Sequence, residues 1–259
     1  MQNPDIDILP LGQVGFRYRF GKLVIYVDPY LSNSVEEKED RRMCRLVPVA
    51  VRPEVISDAN FLFITHAHRD HCDEDTIQAI LRGSPGCRVI GPGPVCGKLR
   101  EAGIPEDRLL RAGRKPLVFG DNLTVYPVPS AHPEIQAEAG GGWSAIGYVF
   151  DFQGCRFYHA GDTSLRGEVI DAVRGIGDID TAFLPVNEKN YYKDRQGVIG
   201  NMTIREAFYL AESINARVLV PTHWDMFAIN QVFPEEIELL YQRLKPDFEL
   251  NIMPFSPKQ

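Results

Sequence analysis

Four side chains able to bind a metal fall within six residues in Thr65-His66-Ala67-His68-Arg69-Asp70-His71, directly after the apolar run Phe61-Leu62-Phe63-Ile64. Packing three imidazoles and a carboxylate into one turn beside a buried strand is costly unless the ring nitrogens share a cation. The segment is therefore predicted to bind metal, and a loop this tight cannot complete a coordination sphere alone. His66 and His68, two apart in extended backbone, project to one side. Asp70 and His71 follow the turn and face a neighbouring position, so the spacing predicts two ions rather than one. The chain has six histidines, which leaves His132, His159 and His223 as further imidazoles. His132 stands just past a strand in Ser130-Ala131-His132-Pro133, and His223 ends another in Val220-Pro221-Thr222-His223. Asp162 follows a hairpin strand in Tyr158-His159-Ala160-Gly161-Asp162. Strand ends form a rigid platform of the kind such a constellation requires.

Around these positions the pattern alternates between strands and helices. Ile6 to Phe20 alternates apolar and polar residues, Gly21-Lys22 breaks the run, and Leu23-Val24-Ile25-Tyr26-Val27 leads to Asp28-Pro29. This reads as short strands joined by tight turns. The mixed-charge run within residues 33–48 reads as a solvated loop or helix face. Asp73 is placed to cap a helix carrying Ile77, Ile80 and Leu81, which Gly83 and Pro85 stop. A strand over 87–90 and a helix over 94–102 follow. The stretch 117–157 is strand-rich, with a hairpin turning at Gln153-Gly154. Beyond it come strand 181–186, helix 203–214, strand 217–221, helix 234–244 and strand 248–253. That order predicts an α/β protein of two packed sheets with helices outside them, a four-layer αββα sandwich. A chain of 259 residues suffices for one such domain, and no segment reads as a linker, so a single domain over 1–259 is expected.

Composition narrows the partners. A net charge of −7 without a basic arm argues against nucleic acid. No run of about 18 apolar residues offers a membrane span, and the first residues lack the basic-then-apolar pattern of a secretion signal. Five cysteines without CxxC spacing argue against a disulfide framework or a thiolate zinc site. The expectation is a cytoplasmic protein acting on a small molecule.

Asp28, His66-x-His68-x-Asp70-His71, His132, Asp162 and His223, in this chain order, resemble the metallo-β-lactamase superfamily over nearly the whole chain. The resemblance implies the metallo-β-lactamase fold and a metal-dependent hydrolase. It also implies that His66, His68 and His132 hold a first metal, that Asp70, His71 and His223 hold a second, and that Asp162 bridges them. Asp28 would be a supporting residue behind the ligands. Within the superfamily, Ser130-Ala131-His132-Pro133, Tyr158-His159-Ala160-Gly161-Asp162-Thr163, Asn201-Met202-Thr203 and the run from Asn215 to His223 are similar to the L-ascorbate-6-phosphate lactonase group. That similarity implies two divalent ions, Mn2+ or Zn2+, and a homo-oligomer. The implied reaction opens a phosphorylated sugar-acid lactone by attack of a hydroxide shared between the ions. Asp70 and Asp162 are the candidates to orient that nucleophile and relay a proton. The alternative reaction with the same ligands is phosphodiester hydrolysis on a small or lipid substrate.

An anionic substrate would need local cations. Lys189, Tyr191 and Arg195, within residues 187–197, are candidates to clasp one; a solvated surface loop is an equal reading of the same stretch. Trp224 either lines the site or packs, and Trp143, after Gly140-Gly141-Gly142, either caps it as a flap or packs. Arg69 meets either an anion or a nearby carboxylate. His159 reads as a packed histidine behind the ligands, and Cys72 as a buried thiol beneath the metal loop.

Overall fold

The computed structural model describes residues 5–253. Alternation builds the first sheet. In β2 (Gly15–Phe20), Phe16, Tyr18 and Phe20 are buried. The intervening Arg17 pairs with Asp7 at 3.2 Å and Asp58 at 3.0 Å, and Arg19 with Asp5 at 2.7 Å. This strand is flanked by β1 (Ile6–Gly12) and β3 (Leu23–Val27), both antiparallel to it. Then β4 (Phe61–Phe63), β5 (Arg88–Gly91) and β6 (Leu109–Arg111) add on in parallel, giving six strands in sequence order.

The second sheet has seven strands. Antiparallel neighbours β7 (Leu117–Phe119), β8 (Leu123–Pro129), β9 (Ile146–Phe152) and β10 (Cys155–His159) are followed by parallel β11 (Ile179–Pro185), β12 (Ala216–Thr222) and β13 (Glu249–Leu250). The helices are α1 (Ser34–Lys38), α2 (Glu74–Gly83), α3 (Gly93–Glu101), α4 (Gly167–Arg174), α5 (Tyr191–Arg195), α6 (Ile204–Ser213) and α7 (Pro234–Leu244).

Three apolar clusters define the layers. Between the sheets, Phe16, Tyr18 and Phe20 meet Phe63, Tyr148, Phe150 and Phe183. On the outer face of the first sheet, Leu62 and Val89 pack against Ile77 and Ile80 of α2 and Val95 and Leu99 of α3. On the outer face of the second, Tyr158, Leu184 and Leu219 pack against Val173 of α4, Phe208 of α6 and Ile237 of α7. The result is the predicted αββα sandwich. Among the described residues, no helix is long and apolar enough to cross a membrane.

Two local expectations change. Asp73 precedes α2, but its carboxylate makes no bond to the helix backbone. It accepts instead from Ser32 Oγ at 2.7 Å, Ser34 Oγ at 2.8 Å and the Thr76 hydroxyl, tying the α1 region to α2. Helix α4 carries no clear sequence signal, because within its eight residues only Val169 and Val173 are buried.

Phe150 touches Tyr18, Phe20 and Phe63 at ring separations of 5.4, 5.9 and 5.2 Å. Phe150→Ala is expected to lower unfolding free energy by about 3–5 kcal/mol, read as a shift in the urea midpoint.

Candidate metal centre

Five strands release their polar residues at the same edge of the sandwich. Asp28 follows β3, His66 to His71 follow β4, His132 follows β8, Asp162 follows β10 and His223 follows β12. Tight ties fix the loops there. Ile146 N–H donates to Thr65 O at 3.0 Å, and the Tyr148 hydroxyl donates to Ile64 O at 2.9 Å, so the second sheet clasps the base of the histidine loop. Gly161 has φ +60°, and a Cβ there would stand 2.7 Å from the Thr65 side chain, so the close approach admits only glycine.

The seven ligand candidates converge. His68 Nδ1 lies 3.0 Å from His66 Nε2 and 3.2 Å from His132 Nε2. Beside this trio, Asp70, His71 and His223 form a second group whose ligand atoms lie within 4.8 Å of one another. Asp162 stands between the two. Its Oδ1 is 3.4 Å from His71 Nε2, and its Oδ2 is 3.4 Å from His223 Nε2 and 3.6 Å from His132 Nε2.

Burial sets the protonation of these groups. It pushes His66 well below the usual imidazole range, with His71 and His132 adding to the effect. Burial also brings His132 down to about 4, against the pull of Asp162. Neutral rings are the form a cation needs. At His71 and His223, by contrast, burial is outweighed by the Asp162 and Asp70 carboxylates, which hold the rings above the usual imidazole range, so a cation there would displace a proton. For Asp162 burial opposes ionisation, but His223 and His71 outweigh it and hold the carboxyl well below its usual range. The buried His71 Nε2 and Asp162 Oδ1 have no hydrogen-bond partner. Two orphaned buried lone-pair atoms, facing one another beside a trio of imidazole nitrogens, are what divalent cations would satisfy. The donor set thus fits metal ions, with His66, His68 and His132 around one position and Asp70, His71 and His223 around another.

Supporting groups orient the ligands. Asp28 Oδ2 accepts from His71 Nδ1 at 2.8 Å, which turns the Nε2 lone pair inward. The same carboxylate accepts from Thr65 N–H at 2.8 Å and the Thr65 hydroxyl at 2.6 Å. His159 is packed behind the ligands, its Nδ1 3.0 Å from the Tyr18 hydroxyl, and burial brings it to about 4. Cys72 is buried, and burial raises its thiol to about 12. Gln13 is absent from the sequence-derived set. Its buried side-chain amide donates to Asp70 Oδ2 and lies 3.2 Å from His223 Nε2, while its backbone carbonyl accepts from His223 N–H at 3.0 Å. Its one signal is a lone amide within the apolar Leu11-Gly12-Gln13-Val14-Gly15-Phe16.

A cleft above the ligands reaches His68, Asp70, His132, Asp162 and His223. Its walls come from residues 35–43 and 196–199, so the mixed-charge run read as solvated supplies one wall. Lys189, Tyr191 and Arg195 are exposed and stand outside the lining, as does Trp224, whose indole N–H donates to Pro221 O at 3.1 Å. The structure therefore does not bring these four expected substrate contacts to the cleft: the chain turns at α5 and presents residues 196–199 instead. Lys193 of α5 turns inward and donates to Asn187 O and to Glu188 O, the latter at 2.9 Å. Arg69 pairs with Glu39 at 3.0 Å and Glu74 at 3.5 Å, the carboxylate reading of that residue. Trp143 packs at the edge of the inter-sheet core, with the Arg114 guanidinium 4.8 Å from its ring.

Residues 24–224 match the family described as the beta-lactamase superfamily domain. A UPF0173 metal-dependent hydrolase of Methanosarcina mazei is 28% identical over 253 residues, covering 96% of each chain. A UPF0173 metal-dependent hydrolase of Pyrobaculum calidifontis is 27% identical over 228 residues, 88% of each chain. Among solved structures, an isothiocyanate hydrolase from Delia radicum gut bacteria superposes with a TM-score of 0.75 at 18% identity, covering 98% of this chain and 97% of that one. The metallo hydrolase Igni18 of Ignicoccus hospitalis gives 0.69 at 19% identity, covering 98% and 96%. At these identities the superpositions speak for the fold.

Asp28→Asn and Gln13→Ala should both weaken metal binding while leaving the fold intact. The expected loss is about 10–100-fold in affinity for at least one ion, read by competition with a chromogenic chelator. Affinities equal to the parent's for both ions would remove these residues from the supporting set.

Proposed function

Because the chain belongs to the beta-lactamase superfamily, we propose that it is a metal-dependent hydrolase that cleaves a small ester-like carbonyl compound, with a lactone as the favoured form. The observation that carries this reading is the pair of adjacent ligand groups, His66/His68/His132 and Asp70/His71/His223, joined by Asp162 at the floor of an open cleft. The name shared by the Methanosarcina mazei and Pyrobaculum calidifontis relatives, metal-dependent hydrolase, supports the same class. The lactone preference rests on the motifs around His132, Asp162 and His223 that resemble the lactonase group.

What bound divalent ions supply in such a cage is Lewis acidity, enough to bring a coordinated water's pKa to about 7. The chain's own residues do the rest. Asp162 faces inward, its oxygens 3.4 to 3.6 Å from the ring nitrogens of His71, His132 and His223, a positioning role. Asp70 is the more open carboxylate, with 19% of its side chain exposed against 5% for Asp162. Asp70 therefore takes and returns the proton, and Gln13 holds its Oδ2 in place. Asp28 keeps His71 in the tautomer that presents Nε2.

Purified protein assayed with zinc or manganese against a panel of small lactones and aryl esters is expected to turn over at least one of them. His68→Ala and Asp162→Ala should abolish turnover with circular dichroism unchanged. Asp70→Asn should lower kcat by roughly 100- to 10,000-fold. Chelation should silence the enzyme and added metal restore it. Undiminished hydrolysis by Asp162→Ala after exhaustive chelation would defeat the reading.

A further inference from the structure

The cleft above the ligands encloses about 260 Å³, below the roughly 300–1,000 Å³ of ordinary small-molecule sites. Its apolar walls are Val35 and Met43 on one side and Val198 and Ile199 on the other. The amides of Gln196 and Asn230 and the carboxylates of Glu39 and Asp40 complete its upper part. Among the described residues, no lysine or arginine lines it. Two nearby arginines, Arg42 and Arg69, are already engaged, and Arg41 and Arg195 are exposed outside the lining. Arg42 grips Asp40 through Nε at 3.0 Å and Nη2 at 2.7 Å and donates from Nη1 to Gln196 Oε1 at 2.8 Å. Arg69 holds Glu39 at 3.0 Å and reaches Glu74 at 3.5 Å. Above the metal cage, the carboxylates of Glu39 and Asp40 are thus paired, and the described lining offers no cation.

We propose that this cleft selects a small uncharged substrate with an apolar arm, and that it discriminates against phosphorylated or carboxylated ones. The inference rests on the hydrolytic reading above and names its substrate class. The ligand residues lie at the floor of the cleft, so cations held there would act on the scissile bond and would not serve a charge at the substrate's far end. An anionic group seated between Val198, Ile199, Val35 and Met43 would lose water and find no counter-charge, a heavy penalty for an ionised group. An apolar arm gains from the same walls, and Gln196 and Asn230 remain to meet a neutral carbonyl or hydroxyl. The anionic substrate expected from Lys189 and Arg195 is not served by this geometry, since neither side chain reaches the cleft.

Two hydroxamic acids of similar length separate the cases, because they share a metal-chelating head and differ only in the tail. Pentanohydroxamic acid carries a butyl tail on its head group, and succinic monohydroxamic acid a tail that ends in a carboxylate. Titrated calorimetrically into the zinc-loaded protein, the neutral compound is expected to bind about tenfold tighter or more. Val198→Arg should reverse that order, and Ile199→Ser, at an exposed wall position that tolerates a polar residue, should shrink the preference several-fold. A carboxylate tail that binds the parent protein as tightly as the neutral one overturns the proposal and leaves the hydrolytic cage standing. So does an order that neither wall variant moves. Failure of both compounds to bind the zinc-loaded protein would instead remove the accessible cage itself, and this inference with it.

Discussion

Asp28 is wholly buried at the end of β3, with φ +43°, and its carboxylate is taken up by the Thr65 amide, the Thr65 hydroxyl and His71 Nδ1. A buried carboxylate is tolerable only when its oxygens are met by donors in this way. Once it is, the first residue of the histidine loop and its last imidazole are held to the same strand end. Thr65 in turn meets the second sheet through Ile146 and leaves room only for glycine at 161. The position of Asp162, one residue further on, follows from that approach. Backbone strain gathers at the same place: Gln13, Asp28 and His223 all have positive φ, at 60°, 43° and 62°. Non-glycine residues keep such conformations where surrounding structure over-determines them, and here each one supplies or supports a ligand.

Much of this was legible in the sequence. Alternation in Phe16 to Phe20 and the apolar run before His66 announced buried strands, and the strand-then-helix order of the later half announced layers. The ligand positions were readable because each sits just past an apolar run, where a polar residue has few structural reasons to be. What escaped was carried by tertiary placement. Gln13 looks like turn punctuation until the chain folds its amide against Asp70 and His223. The charged run after α1 looks solvated because its charges pair with partners distant in sequence, as Arg69 does with Glu39 and Arg42 with Gln196. Between those pairs, Val35 and Met43 face the cleft. Cationic and aromatic residues in 187–197 suggested a clasp, but which side of a short helix faces a site is set by how the helix docks, and α5 buries Lys193 while Tyr191 and Arg195 stay exposed.

The contrast between cage and cleft matters for specificity. The His/Asp cage, the beta-lactamase superfamily match and the metal-dependent hydrolase relatives say what class of chemistry is at hand. The walls at residues 35–43 and 196–199 say more about which molecule can reach it. They are the short helix α1 and connecting loops, joined across the opening by Arg42 and Gln196, and such connections diverge more readily than the strands beneath them. Fold likeness at 18% identity to an isothiocyanate hydrolase therefore leaves the substrate to be decided by this chain's own walls.

The ligands are divided between the two halves of the sandwich: His66, His68, Asp70 and His71 hang from the first sheet, and His132, Asp162 and His223 from the second. Any ion gripped by both sets doubles as a rivet across the seam. Far from this edge the halves are joined by apolar packing, whereas here an ion would add its grip to the Thr65–Ile146 and Ile64–Tyr148 bonds, a contribution that comes and goes with metal supply. Starvation for metal would thus loosen the seam at its working end as well as silence its chemistry.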